Sequence, residues 1–147
     1  MMKLKILAVI SLLVMGIVIY LHSLVGPKNV SVPIELLNQD VTQSTISVTV
    51  CVPGWTKSVR PSSEYTTALK RTQLPPGSDL RAYEEDHLVP LELGGGPKNP
   101  ENLRPQLRNG PAEVKDQEEN RLHAEVCSGS MTLQDAQSIV YREWVGK

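Results

Sequence analysis

The side chains best suited to chemistry lie together in Tyr83-Glu84-Glu85-Asp86-His87, three carboxylates and an imidazole in a chain with only three histidines. A carboxylate holds a hard cation, and a neutral imidazole takes up a proton near neutral pH, so Asp86 and His87 suit two roles in one hydrolytic site. Neighbours on a strand point to opposite faces, so the two are expected to act separately. The same divergence argues against Glu84 and Glu85 as a glycosidase-like acid pair. Downstream, Glu113, Asp116, Asn120 and His123 fall within about 80° of one helix face at 100° per residue. A hairpin followed by a helix with that polar stripe would form a one-metal site. His123 lies roughly 15 Å along the axis from Glu113, too far to share its ion, and is expected to pack instead.

Elements must hold these groups, and the pattern is that of a small α+β domain. Ser44 to Val52 alternates Ile46, Val48, Val50 and Val52 and predicts a strand. Ser62 or Ser63 caps a helix from about Glu64 to Thr72, stopped by Pro75-Pro76-Gly77. Asp86 to Leu93 predicts a strand, broken by Gly94-Gly95-Gly96-Pro97; the reversal there brings a short strand around Asn102 back beside His87. Asn109-Gly110-Pro111 opens a helix to about Val126, closed by Ser128-Gly129. Thr132 with Asp135 begins a last helix whose apolar face is Leu133, Ala136, Ile139, Val140 and Trp144.

The remaining features concern address and charge. Lys3 and Lys5 precede an apolar run, Ile6–Val25, that spans about 30 Å as a helix. Residues 1–26 therefore predict a signal anchor, or a signal peptide cleaved near Gly26, with the body outside the cytoplasm. The protein would then be membrane-anchored and facing outward, or secreted or periplasmic. Residues 27–45 predict a linker, and 46–147 the domain. Cys51 and Cys127 stand far apart with no Cys-x-x-Cys, and in an oxidising compartment they are expected to pair. The net charge is -1 over 147 residues, which excludes a global basic field for nucleic acid. A local basic stretch, Lys57, Arg60, Lys70, Arg71 and Arg81, is the candidate for phosphate contacts, and no apparatus for reading bases is visible.

The stretch YEEDHLVPLELGGGPKNPENLRPQ resembles the HNH-type nuclease family, and AEVKDQEENRLHAEVCSG with LQDAQSIVYREW resembles one small exported subgroup of it. The resemblance spans roughly residues 48–145. It implies a ββα-metal core, a hairpin plus helix with flanking helices. It implies His87 as the general base that activates water, Asp86 as a metal ligand, and Asn102 as the residue that orients the histidine and braces the hairpin. The family's third position, a histidine at the start of the helix, is matched here by Glu113, with Asp116 a further candidate ligand. That change favours Mg²⁺ or Mn²⁺ over Zn²⁺ for the one divalent ion. The function implied is a metal-dependent endonuclease acting on nucleic acid, DNA before RNA, outside the cytoplasm. The alternative is a catalytically inactive module of the same fold that binds a protein or nucleic acid at the cell envelope.

Overall fold

The computed structural model describes residues 31–144. The apolar segment 1–26 and the first residues of the expected linker lie outside them; among the described residues no helix is long and apolar enough to cross a membrane. The fold is α+β. Its elements run α1 (Trp55–Val59), α2 (Ser63–Gln73), β1 (Tyr83–His87), β2 (Leu103–Leu107), α3 (Pro111–Ser128) and α4 (Leu133–Trp144). β1 and β2 form a two-stranded antiparallel sheet, with Tyr83 opposite Leu107 and His87 opposite Leu103.

Helix limits follow from local chemistry. The Ser62 hydroxyl accepts the Tyr65 N–H at 3.3 Å and opens α2. Gly129, at φ 79°, closes α3 in a left-handed conformation that a side chain would strain. Thr132 accepts the Asp135 N–H at 3.1 Å, and the Gln43 side-chain carbonyl takes up the Leu133 N–H at 2.7 Å, so two otherwise orphaned donors at the start of α4 are satisfied.

Two expected strands are corrected. Ser44–Val52 is not a strand: it holds a short 3₁₀ helix, Ile46–Val48, between turns. Its threonines divert the backbone, since the Thr45 hydroxyl donates to Asp40 O at 2.8 Å and accepts from Thr42 N at 2.8 Å, while Thr49 donates to Thr45 O at 2.7 Å. Of the alternating valines only Val50 is buried. The Asp86–Leu93 strand is also shorter and earlier: β1 ends at His87, and the chain turns into a 3₁₀ helix, Leu91–Leu93. Residues 31–45, expected as linker, pack on the domain. Leu36 and Val41 are buried, Asn38 N donates to Gly94 O at 2.8 Å, and Gly96 N donates to Leu36 O at 2.7 Å.

The core lies where this segment meets the last two helices. Val41, Val50, Leu93, Leu122, Val126, Leu133, Ala136 and Val140 are buried together, with Trp55 and Trp144 packed against them. The hairpin is fastened beside α3 by α2: Lys70 Nζ donates to Tyr83 O at 2.8 Å, and Gln73 Nε2 to Leu103 O at 2.9 Å. Cys51 and Cys127 form a disulfide with Cα atoms 5.6 Å apart, tying the N-terminal segment to the end of α3. Such a bridge persists in oxidising, extracytoplasmic compartments. Closing a loop of this length is worth about 4.5 kcal/mol in the chain-entropy account. Cys51→Ser is therefore expected to lower unfolding free energy by about 2–5 kcal/mol in denaturant titrations of oxidised protein.

Candidate functional site

A cavity of about 320 Å³ opens where β1, α3 and the end of α1 converge. β1 contributes Glu84, Glu85, Asp86 and His87 to its wall; α3 contributes Asp116, Glu119 and Asn120. Arg60, just past α1, and Glu92 complete the charged lining. Asp86 and His87 thus meet at one cavity although strand neighbours were expected to diverge. The strand ends at His87, whose own N–H turns back onto Asp86 Oδ1 at 2.8 Å.

His87 is buried, and its Nε2 lies 3.1 Å from Pro97 O. A carbonyl only accepts, so the neutral ring carries its proton on Nε2 and leaves Nδ1 as the basic nitrogen. Burial pushes the His87 pKa down, against the Pro97 carbonyl and Asp86, which favour the charged form. The ring is therefore in its proton-accepting state at neutral pH. The Asn102 side chain makes no hydrogen bond to His87. Its Oδ1 accepts Val89 N at 2.8 Å, and its Nδ2 donates to Val89 O at 3.0 Å and Gly96 O at 3.2 Å. It braces the loop that carries Pro97 and so positions His87 at one remove. Gly95 is obligatory there, because a Cβ would lie 1.8 Å from Val89 O.

Sequence reasoning missed Lys115. Its side chain is fully buried and donates to Asp86 Oδ2 at 2.7 Å, to His87 O at 2.8 Å and to the Glu119 carboxylate. Burial opposes its charge, but Asp86 and Glu119 outweigh that and raise its pKa. Glu119 is the reluctant member, pushed up to about 8 by burial despite the ammonium beside it. The available signal was spacing: Ala112, Lys115, Glu119, Leu122 and Val126 recur on one helical face, and all are buried.

The predicted ligands separate. Asp116 lines the cavity, whereas Glu113 is exposed and does not. At 100° per residue, Asp116 sits about 100° around the helix from Lys115, and Glu113 about 160°, at the outer edge of the polar stripe. The basic stretch also divides. Arg60 lines the cavity; Lys70 is buried and committed to Tyr83 O; Arg81 is paired with Asp79 at 3.4 Å; Lys57 and Arg71 are exposed away from the lining. His123 donates to Val50 O at 2.9 Å, a packing role. Cys51, His123 and Cys127 bring donor atoms within 4.8 Å of one another, but the bridge removes the thiolates that a soft metal would need.

The site is short of positive charge. Burial, then the charges of Asp86 and Asp116, pushes the Glu84 carboxyl up, and burial does the same for Glu92, with Asp116 adding to it. The chain matches no known family profile, no curated protein and no solved structure.

Glu85, next along β1, lines the same cavity, and the Asp86 charge adds to the effect of burial on it. Its carboxylate oxygens are buried near Lys70 and Gln73 without a hydrogen bond of ordinary geometry, and burial pushes the pKa up to about 7. A carboxyl that ionises at higher pH when folded favours folding below its ordinary range near 4.5, and that stability is lost as pH rises to about 7. Glu85→Gln is expected to raise the melting temperature at pH 8 and to leave it unchanged at pH 4, measured by thermal unfolding across that range.

Proposed function

We propose that this protein is a divalent-metal-dependent endonuclease of the HNH type, acting outside the cytoplasm, with His87 as general base. The observation that carries the reading is the His87 ring: neutral, held through Nε2–H to Pro97 O, and presenting Nδ1 as its basic nitrogen within an acidic cavity. Nδ1 takes a proton from water as the water oxygen bonds to phosphorus; the ester P–O bond breaks, and the leaving oxygen takes a proton from solvent water. The Pro97 carbonyl then faces an imidazolium and stabilises the charge the ring has gained. Arg60, the exposed cation at the rim, contacts a phosphate oxygen.

The lining fits a hard cation. Its donors are carboxylate oxygens, and those of Glu84 and Glu92 are held above their ordinary pKa by burial and by neighbouring negative charge, which a divalent ion would relieve. Asp86 and Asp116 would hold it; Glu113 stands outside the lining. Mg²⁺ or Mn²⁺ suits such oxygens better than Zn²⁺. When bound, the ion supplies charge stabilisation at the phosphoryl and leaving oxygens.

One observation favours the second reading, a catalytically silent binding module of the same fold. Both Asp86 oxygens already accept hydrogen bonds, from His87 N and Lys115 Nζ, a pattern that needs no metal. Plasmid nicking with Mg²⁺, Mn²⁺, Zn²⁺ or EDTA separates the two. Nicking should need the ion, and His87→Ala should slow it by about 10²–10⁴-fold with the fold intact by circular dichroism. Asp116→Ala should cost more than Glu113→Ala. Rates equal in wild type and His87→Ala would assign the cleavage to another base or to a contaminant.

A further inference from the structure

Lysine rarely surrenders its ammonium to the interior, yet the Lys115 side chain has no exposed surface. Its three N–H donors match three acceptors: Asp86 Oδ2, His87 O and the Glu119 carboxylate. Burying such a group costs desolvation that ion pairing seldom more than offsets, so stability alone is a weak reason for it. Its position suggests another. Asp86 and Glu119 both line the cavity and both reach the same ammonium from opposite elements, β1 and α3. Two buried carboxylates converging on one point need a positive charge between them, which an ammonium or a metal ion can supply.

We propose that Lys115 is a positioning residue that stands in for a second cation: it fixes Asp86 against the His87 backbone and fills the inner side of the carboxylate cluster, so that the cavity takes one divalent ion and not two. The role of Asp86 in this inference rests on the nuclease reading. A fixed ammonium cannot be lost to chelators or dilution, and it holds the strand end that carries the base whether or not metal is bound.

Calorimetric titration of Mn²⁺ into metal-stripped protein tests this. Wild type should take one equivalent. Lys115→Met should take a second equivalent, or bind the first at least about tenfold tighter, because a repelling charge is gone. Lys115→Met/Glu119→Gln removes both members of the pair and should fold without metal; it should lose the second equivalent again. Both variants should nick plasmid at least about tenfold more slowly in kcat, with KM for DNA little changed, since the defect is in the orientation of Asp86 and His87. If Lys115→Met folds only when Mn²⁺ is added, as read by circular dichroism, the inference is supported; no recovery with Mn²⁺ overturns it. Wild-type stoichiometry and affinity in Lys115→Met also overturn it. A wild type that binds no Mn²⁺ overturns this inference; a wild type that binds one equivalent but does not nick DNA overturns the nuclease reading and leaves this inference to the Lys115→Met titration.

Discussion

The Asn102 side chain lies inside the turn between the two strands with no exposed surface, and its whole amide is engaged by backbone groups of Val89 and Gly96. Leaving those groups unpaired in the interior would cost about 1–3 kcal/mol each. Much else hangs on this clamp. It fixes a glycine-rich loop so tightly packed that Gly95 has no room for a Cβ, and the next residue after Gly96 is Pro97, whose carbonyl sets the His87 tautomer. The other side of that loop presents Gly94 and Gly96 to the N-terminal segment through backbone hydrogen bonds, and Leu93 to the core. One amide thus couples His87 to the packing of the whole domain.

The second organising constraint is charge. Around the cavity, carboxylates outnumber the two cations, Arg60 and Lys115, and only Arg60 is accessible. Lys115 meets the geometric demand by joining β1 to α3, and so makes the strand and the helix one rigid wall. The hairpin alone could not do this, since two isolated strands are marginal in water. α2 secures the other attachment through Lys70 and Gln73, each bonded to a strand carbonyl. Two buried lysines on two different helices therefore hold the hairpin, and neither is free to meet a substrate.

Helices α2, α3 and α4 were legible in the sequence because their ends carry local signals, Ser62 before α2, Pro111 within α3 and Thr132 before α4, whereas α1, five residues opened by Gly54 with no side-chain cap, was missed. The hairpin was legible from the glycine run and its flanking polar residues, although β1 begins earlier than its apolar pattern suggested. What stayed hidden depends on distant partners. Ile46, Val48, Val50 and Val52 alternate as a strand would, but no neighbouring strand receives them and threonine hydroxyls close turns instead. Lys70 and Lys115 read as surface cations because lysine is nearly always one; only the tertiary fold reveals the carbonyls and carboxylates that bury them. At the site, Asp86, His87, Asp116 and Arg60 were named and do share the cavity, while Glu113 was named and stands outside it. The difference is axial: Asn120 lies only about 20° from Glu113 around the helix and lines the cavity, whereas Glu113 sits one turn, about 4.5 Å, before Asp116 and beyond its edge.

An acidic cavity is a poor receptor for a phosphodiester unless its charge is first reversed. Arg60 alone provides one accessible positive charge against the carboxylates of Glu84, Asp86, Glu92 and Asp116. Any polyanion approaching the unfilled site therefore meets net repulsion, which falls off over roughly 10 Å at 0.1 M salt. A divalent ion bound there would cancel two of those negative charges and place a positive centre where the scissile phosphate of the proposed reaction must sit. For the proposed nuclease this fixes an order of events, cation before substrate. It also separates the two proposed contributions physically: the metal would set whether a phosphate is admitted, and His87, whose pKa burial pushes down, would set whether water attacks it. The acidity that makes the chain look unsuited to nucleic acid is then the feature that makes its entry conditional on metal.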